Sequence, residues 1–193
     1  MRSAIVLHGS CDREEYFSDD YPSLSNSHWL PWLQKQFLMQ GMQAFTPEMP
    51  RAYAPEYSIW KSEFERYPVS EESILVGHSC GGGFLLRWLS ESKCRVCRLI
   101  LVAPWLDPAG RKCSEFFSFT IDPALAERME THLFESMNDE QDIRDSIAII
   151  RAALPGLHYH AFDNYGHFCF DDMGTTRFPE LSVVALGQTR GGR

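Results

Sequence analysis

The chain has 193 residues, 44% hydrophobic and 23% charged, the composition of an ordinary globular domain long enough to close one core. Eighteen Lys and Arg against 26 Asp and Glu leave a net charge of −8, which argues against nucleic acid as a partner, because phosphate backbones are gripped by clustered Lys and Arg. The longest apolar stretch, Leu99 to Leu106, is far too short to span a bilayer, so a membrane is not expected as a partner either.

Met1-Arg2-Ser3 runs straight into Ala4-Ile5-Val6-Leu7. This apolar run is too short for a signal-peptide core and reads as a first strand, which makes a cytoplasmic protein the expectation. His8-Gly9-Ser10-Cys11 follows, opening a long acidic stretch to Ser27 that carries Asp12, Glu14, Glu15, Asp19 and Asp20. Leu30, Leu33 and Phe37 keep helical spacing and predict a helix capped by Ser27. Met42–Phe45 is a second strand, and Ile59 with Phe64 marks a weaker helix. Ser73–Val76 is a third strand, followed by Leu85, Trp88 and Leu89 at i, i+3, i+4. Cys94-Arg95-Val96-Cys97 is a lone CxxC before the fourth strand, Arg98–Val102. It reads as a helix-to-strand connection rather than a metal or redox motif, and all six cysteines are expected to be reduced.

The stretch 107–122 breaks the rhythm with Pro108, Gly110, Cys113 and three phenylalanines, and is a candidate small lid at the sheet's C-terminal edge. His132–Glu135 is a fifth strand. Ile143, Ile147, Ile150 and Leu154 form the cleanest helical stripe, and His158–Phe162 is a sixth strand. Pro179 opens a last helix bearing Leu181, Val184 and Ala185. The polar tail 187–193 is expected to fray, leaving one domain over 1–186. Alternating strands and helices with right-handed crossovers predict an α/β fold: a three-layer, doubly wound, mostly parallel sheet of about six strands.

The strongest local signal is Gly77-His78-Ser79-Cys80-Gly81 between a strand and a helix. This is the GxSxG nucleophile-elbow pattern. The serine must sit on a strained, sharp turn to project above the sheet, and side chains two positions either side would collide with that turn. The following helix directs its free N–H groups at the serine, where an oxyanion would develop. A P-loop needs Lys and Ser or Thr after the glycines, and Phe84-Leu85 stand there instead.

A serine hydroxyl needs a base, and in this arrangement the chain order is Ser, acid, His. Among seven histidines, His167 lies in a late loop after the final strand, beside Gly166. The acid belongs after the penultimate strand, where Asp139 is the first candidate and Glu140 and Asp142 are in reach. It would hold the imidazole tautomer and stabilise the imidazolium. The backbone N–H groups of Ser10 and Cys80 are the predicted oxyanion donors, with His8 and Gly9 shaping the first loop. Trp29, Trp105, Phe116, Phe117 and Phe168 are the candidate substrate-binding aromatics. Cys80 and Cys11 flank the predicted site, so alkylation is expected to block it.

Taken together, these segments resemble the α/β-hydrolase superfamily, and within it the small serine hydrolase family that includes retinoblastoma-binding protein 9 and its bacterial relatives. The resemblance rests on the short chain beginning almost at the first strand, His28-Trp29-Leu30-Pro31-Trp32, the Gly77–Gly81 motif, and the ending Ser136-Met137-Asn138-Asp139 with Gly166-His167-Phe168. It spans Ala4 to about Val184. It implies a cytoplasmic serine hydrolase with a compact sheet, little or no cap, and Ser79, Asp139 and His167 as a triad. Relatives often carry two adjacent acids where this chain has Asn138-Asp139.

The expected reaction is hydrolysis of a carboxylic ester, with a small-molecule acyl substrate as partner and no cofactor or metal. The same triad serves thioesterases, amidases, peptidases and acyltransferases, because selectivity lives in the loops. Two other readings stand apart: a non-catalytic binding protein on a hydrolase fold, and a metal hydrolase using His158, His160 and His167. Turnover by the triad falls as pH drops through the range where histidines protonate, around 6 to 7.

Overall fold

Ser3–Leu7 (β1), Ile74–His78 (β3) and Arg98–Val102 (β4) are buried along their whole length. Strands covered on both faces belong to parallel sheets with helices on each side. The computed structural model describes residues 2–113 and 115–188. Among them, Gln43–Phe45 (β2), Glu130–Ser136 (β5) and His158–Phe162 (β6) complete one six-stranded sheet of order β2-β1-β3-β4-β5-β6. Every neighbouring pair is parallel.

The described residues also form eight α-helices: Arg13–Tyr16 (α1), Leu30–Met39 (α2), Tyr57–Phe64 (α3), Cys80–Ser92 (α4), Leu125–Arg128 (α5), Gln141–Ala153 (α6), Phe170–Met173 (α7) and Pro179–Leu186 (α8). From β1 the chain moves outward to β2 and then returns to β3 on the other side of β1. This reversal opens a crevice beyond the C-terminal ends of β1 and β3, where ligands sit in such sheets. The loop His8–Ser10 and the turn at Ser79 both leave the sheet there.

Most predicted elements recur with shifted ends. β3 continues to His78, and β5 starts at Glu130 and ends at Ser136. Ser27 does not cap α2. Its hydroxyl donates to the Ser23 carbonyl at 3.3 Å at the end of a short 3₁₀ turn, Leu24–Asn26, and α2 starts after Trp29 with Pro31 in its first turn. Ile143, Ile147, Ile150 and Leu154 are buried as their spacing predicts.

The stretch 107–122, Ser114 apart, is hydrogen-bonded within itself and to α4. Asp107 accepts the N–H groups of Arg111, Lys112 and Cys113 at 3.0, 2.9 and 2.7 Å. Arg87 of α4 donates to the carbonyls of Glu115 and Phe116, both at 2.8 Å, and Phe116 packs edge-on against Trp60. At the C-terminal end, Gly187 adopts φ 65° and closes α8: its own N–H and that of Gln188 bond back to Val184 and Val183. Residues 189–193 of the predicted tail lie outside the described residues. Cys94 and Cys97 are exposed between α4 and β4.

Candidate active site

Ser79 stands between β3 and α4 with φ 52° and ψ −122°, a backbone conformation that costs a non-glycine residue about 1–3 kcal/mol. Its surroundings over-determine it. The Ser79 N–H donates to Val102 at 2.9 Å, and its carbonyl accepts from Gly82, Gly83 and Trp105 at 3.0, 3.2 and 3.0 Å. A β-carbon on Gly77 would lie 2.6 Å from the Gly81 carbonyl oxygen, and one on Gly81 would lie 2.3 Å from that of His8. Only glycine lets β3, α4 and the β1 loop meet this closely.

The loop carrying His167 is fixed by side chains from four directions. Asn138 Oδ1 accepts the Gly166 N–H at 2.9 Å, and Ser136 Oγ accepts the Tyr165 N–H at 2.8 Å. Ser136 in turn donates to Asn138 at 2.7 Å. Asp172 accepts the His167 N–H at 2.9 Å. The His78 ring donates from Nε2 to the His167 carbonyl at 2.7 Å, and Trp29 Nε1 donates to the Phe168 carbonyl at 3.1 Å. Thus held, His167 Nδ1 lies 3.1 and 3.0 Å from the two carboxylate oxygens of Asp139. The Asp139 side chain is almost fully enclosed, whereas the His167 ring is about a quarter exposed. Asp139 also accepts the Glu140 N–H at 2.7 Å, as the start of α6 allows.

The two alternatives for the acid lie elsewhere: Asp142 accepts from Trp105 Nε1 at 3.3 Å, and Glu140 is exposed. His78 is wholly buried, and burial together with the neighbouring His167 and His28 rings pushes its pKa well below the usual histidine range. It is therefore neutral, and its Nε2–H is the donor to the His167 carbonyl. Ser79 Oγ takes part in no hydrogen bond among the described residues.

On the β1 side, the His8 ring donates from Nδ1 to the Gly9 carbonyl at 2.7 Å and accepts the Met49 N–H at Nε2, also at 2.7 Å. Burial lowers the His8 pKa, consistent with this neutral tautomer. The Gly9 carbonyl and the Ser10 N–H belong to one planar trans peptide, so fixing the first aims the second. The N–H groups of Ser10 and Cys80 are not engaged by other backbone groups among the described residues.

The geometry separates the two thiols named above: Cys80 is sealed in the core, whereas Cys11 is half-buried and lines a cavity beside Ser79. Burial drives the Cys80 pKa well above its ordinary value, and Cys11 is pushed up to about 11 by burial and by Glu15. Alkylation needs thiolate and access, and Cys80 has neither.

Two cavities meet at Ser79, His167 and Ser10, of about 830 Å³ and 760 Å³. Of the five predicted aromatics, Trp105 lines the second. Trp29, Phe116 and Phe168 belong to the core instead, and Phe117 packs between Trp105 and Phe116. They are large rings close in sequence to the motifs, yet each sits behind the wall rather than on it. The other rings that line the cavities are Tyr21 and Tyr53 from loops, Trp32 from α2 and Phe170 from the start of α7. The length of the Ser10–Ser27 loop was the available signal for Tyr21.

The three-histidine arrangement is not formed. His160 pairs with His132 at 3.0 Å, and His158 stacks on His132, while His167 turns to Asp139. Among the described residues no helix is long and apolar enough to cross a membrane.

A family model described as serine hydrolase matches residues 20–185. YdeN of Bacillus subtilis strain 168, named as a candidate hydrolase, is 27% identical over 174 residues, which cover 86% of this chain and 91% of YdeN. The crystal structure of the ydeN gene product from B. subtilis matches with a TM-score of 0.79 at 24% identity, over 97% of this chain and 98% of that one. A structure from work on LipS and LipT, two metagenome-derived lipolytic enzymes, matches with a TM-score of 0.65 at 13% identity, over 96% of this chain and 91% of that one. Likeness at these identities speaks for the fold, which is that of the α/β-hydrolases.

Proposed function

Since the chain belongs to the serine hydrolase family, we propose that it cleaves a carboxylic ester through an acyl-enzyme on Ser79, with His167 as base and Asp139 as its orienting acid. The observation that carries this reading is the contact of His167 Nδ1 with both Asp139 oxygens, at 3.1 and 3.0 Å, in a loop whose ring shares both cavities with the strained Ser79.

Asp139 keeps the proton of His167 on Nδ1 and leaves Nε2 free to accept one. Ser79 Oγ attacks the substrate carbonyl carbon as its proton passes to Nε2. The carbonyl oxygen becomes an oxyanion, stabilised by the N–H groups of Ser10 and Cys80. The intermediate collapses, the bond to the leaving oxygen breaks, and that oxygen takes the proton from His167. Water then repeats the sequence on the acyl-enzyme and releases the acid. The strain at Ser79 holds its hydroxyl above the sheet, so attack needs little reorganisation. The free cysteines support a reducing, cytoplasmic setting.

The test is intact mass after a fluorophosphonate, for wild type and for Ser79→Ala. A single adduct in wild type and none in the variant is expected, followed by turnover of short p-nitrophenyl esters that the variant lacks. A folded wild-type protein that takes no adduct would overturn the reading and favour a binding protein on the same fold.

A further inference from the structure

The two cavities that meet at Ser79 differ in chemistry. The larger has an apolar wall of Pro22, Leu24, Pro31, Trp32 and Phe170, a surface for hydrocarbon, with the carboxylates of Glu15 and Asp171 also on its lining. The other carries the carboxylates of Asp12, Glu15, Glu56, Glu140 and Asp142 against one ammonium, Lys112. Two of those carboxylates are engaged: Glu56 pairs with Arg51 at 2.7 Å, and Asp142 accepts from Trp105 at 3.3 Å. Asp12, Glu15 and Glu140 have no side-chain hydrogen bond or ion pair with any described residue.

Two aromatic rings, Tyr53 and Trp105, line the same cavity, and both already draw cations. The Arg13 guanidinium lies 5.1 Å from the Tyr53 ring centre, and the Lys112 ammonium lies 5.9 Å from that of Trp105. Unpaired carboxylates beside aromatic faces recognise ammonium groups. Glu15 is the carboxylate common to both cavities. It is partly buried, and burial with the nearby Asp12 raises its pKa, a penalty that an incoming cation would relieve. The net charge of −8 adds a field that favours cationic ligands.

We propose that the site selects acyl substrates that are hydrocarbon on one side of the scissile bond and carry an ammonium group on the other, with Glu15 as the residue that reads the charge. This rests on the hydrolase reading of Ser79. The hydrocarbon occupies the larger cavity, and the ammonium lies between Glu15 and the aromatic wall of the smaller one. Lys112 competes for that wall. The ammonium belongs either to the leaving alcohol or to the acyl group, and matched substrates separate the two.

The experiment compares isosteric esters that differ in charge: octanoylcholine with 3,3-dimethylbutyl octanoate, and octyl glycinate with octyl propanoate. A preference of about tenfold or more in kcat/KM for the charged member of at least one pair is expected, the size of one charge-assisted contact. The pair that shows it identifies the side bearing the charge. Glu15→Gln should erase the ratio, Lys112→Gln should raise it, and added salt should lower it. Both positions are at least partly exposed, and a thermal melt checks that the variants fold. Equal rates within both pairs, from an enzyme that still takes a fluorophosphonate on Ser79, overturn the charge selection and leave the hydrolase reading standing. A preference that survives Glu15→Gln overturns the role of Glu15. No adduct and no turnover overturn both readings.

Discussion

The elbow around Ser79 and the loop around His167 face the same cavities, yet they are held there by different means. The elbow is fixed by backbone: carbonyl and N–H contacts to β4 and its following loop, and glycines without which neighbouring chains would overlap. The His167 loop is fixed by side chains: Ser136, Asn138, Asp172, His78 and Trp29 each hold one of its backbone groups. A backbone device is rigid and intolerant of added atoms. A side-chain bracket divides the load, so each strut can be weakened separately.

Substitution at Ser79 gives the largest expected effect and separates strain from chemistry. Ser79→Gly removes the nucleophile and the positive-φ penalty together, so turnover should fall roughly 10⁴-fold or more, while urea denaturation should show about 1 kcal/mol of added stability. A less stable variant would mean that the elbow stores no strain. Gly81→Ala drives a methyl group into the His8 carbonyl and should cost about 3 kcal/mol or more, with activity lost alongside structure. A well-folded, active Gly81→Ala protein would remove the steric account.

The bracket should respond more gently. Asn138→Ala strips the acceptor from both Gly166 and Ser136, at about 1–2 kcal/mol of stability, and should lower kcat roughly tenfold by loosening the His167 ring. Asn138→Asp keeps the acceptor oxygen and should recover most of that loss. If Asn138→Ala matches wild type in kcat, the bracket does not position the base.

Farther along β5, a third arrangement sharpens the contrast. His132 is buried beside His160, and burial depresses its pKa to about 4. Because the folded value lies below the unfolded 6.5, the unfolded chain binds the proton more tightly. Stability is full above about pH 6.5 and declines as pH falls toward 4, by at most about 1.4 kcal/mol per pH unit for one histidine. Thermal melts across that window should show the decline, and His132→Gln should flatten it. An unchanged slope would assign the decline to other buried histidines such as His78. The smallest expected effect is at the thiols: iodoacetamide at neutral pH should label the exposed Cys94 and Cys97 before Cys80, with little change in turnover.

Local sequence carried most of the fold and the centre of the site. Continuous apolar runs such as Leu99–Val102 identify buried parallel strands, and the Ile143–Leu154 stripe identifies a helix, because burial on two faces or one stripe leaves a periodic trace. Gly77-x-Ser79-x-Gly81 was readable for a similar reason: its constraint acts between residues adjacent in the chain, and only glycine satisfies it. Asp139 could be singled out by chain order, although its neighbours Glu140 and Asp142 could be set aside only once the structure showed Asp139 on the His167 ring, Asp142 on Trp105 and Glu140 exposed. The bracket around His167, and the separation of wall from core among the aromatics, came from tertiary structure alone. Asn138 and Gly166 are 28 residues apart and leave no mutual pattern in the chain. Trp29 and Trp32 differ by less than one helical turn, yet one is sealed in the core while the other lines the cavity. Which side a ring faces depends on the rotation of α2 against the sheet, a quantity set by packing across the molecule rather than by any local run of residues.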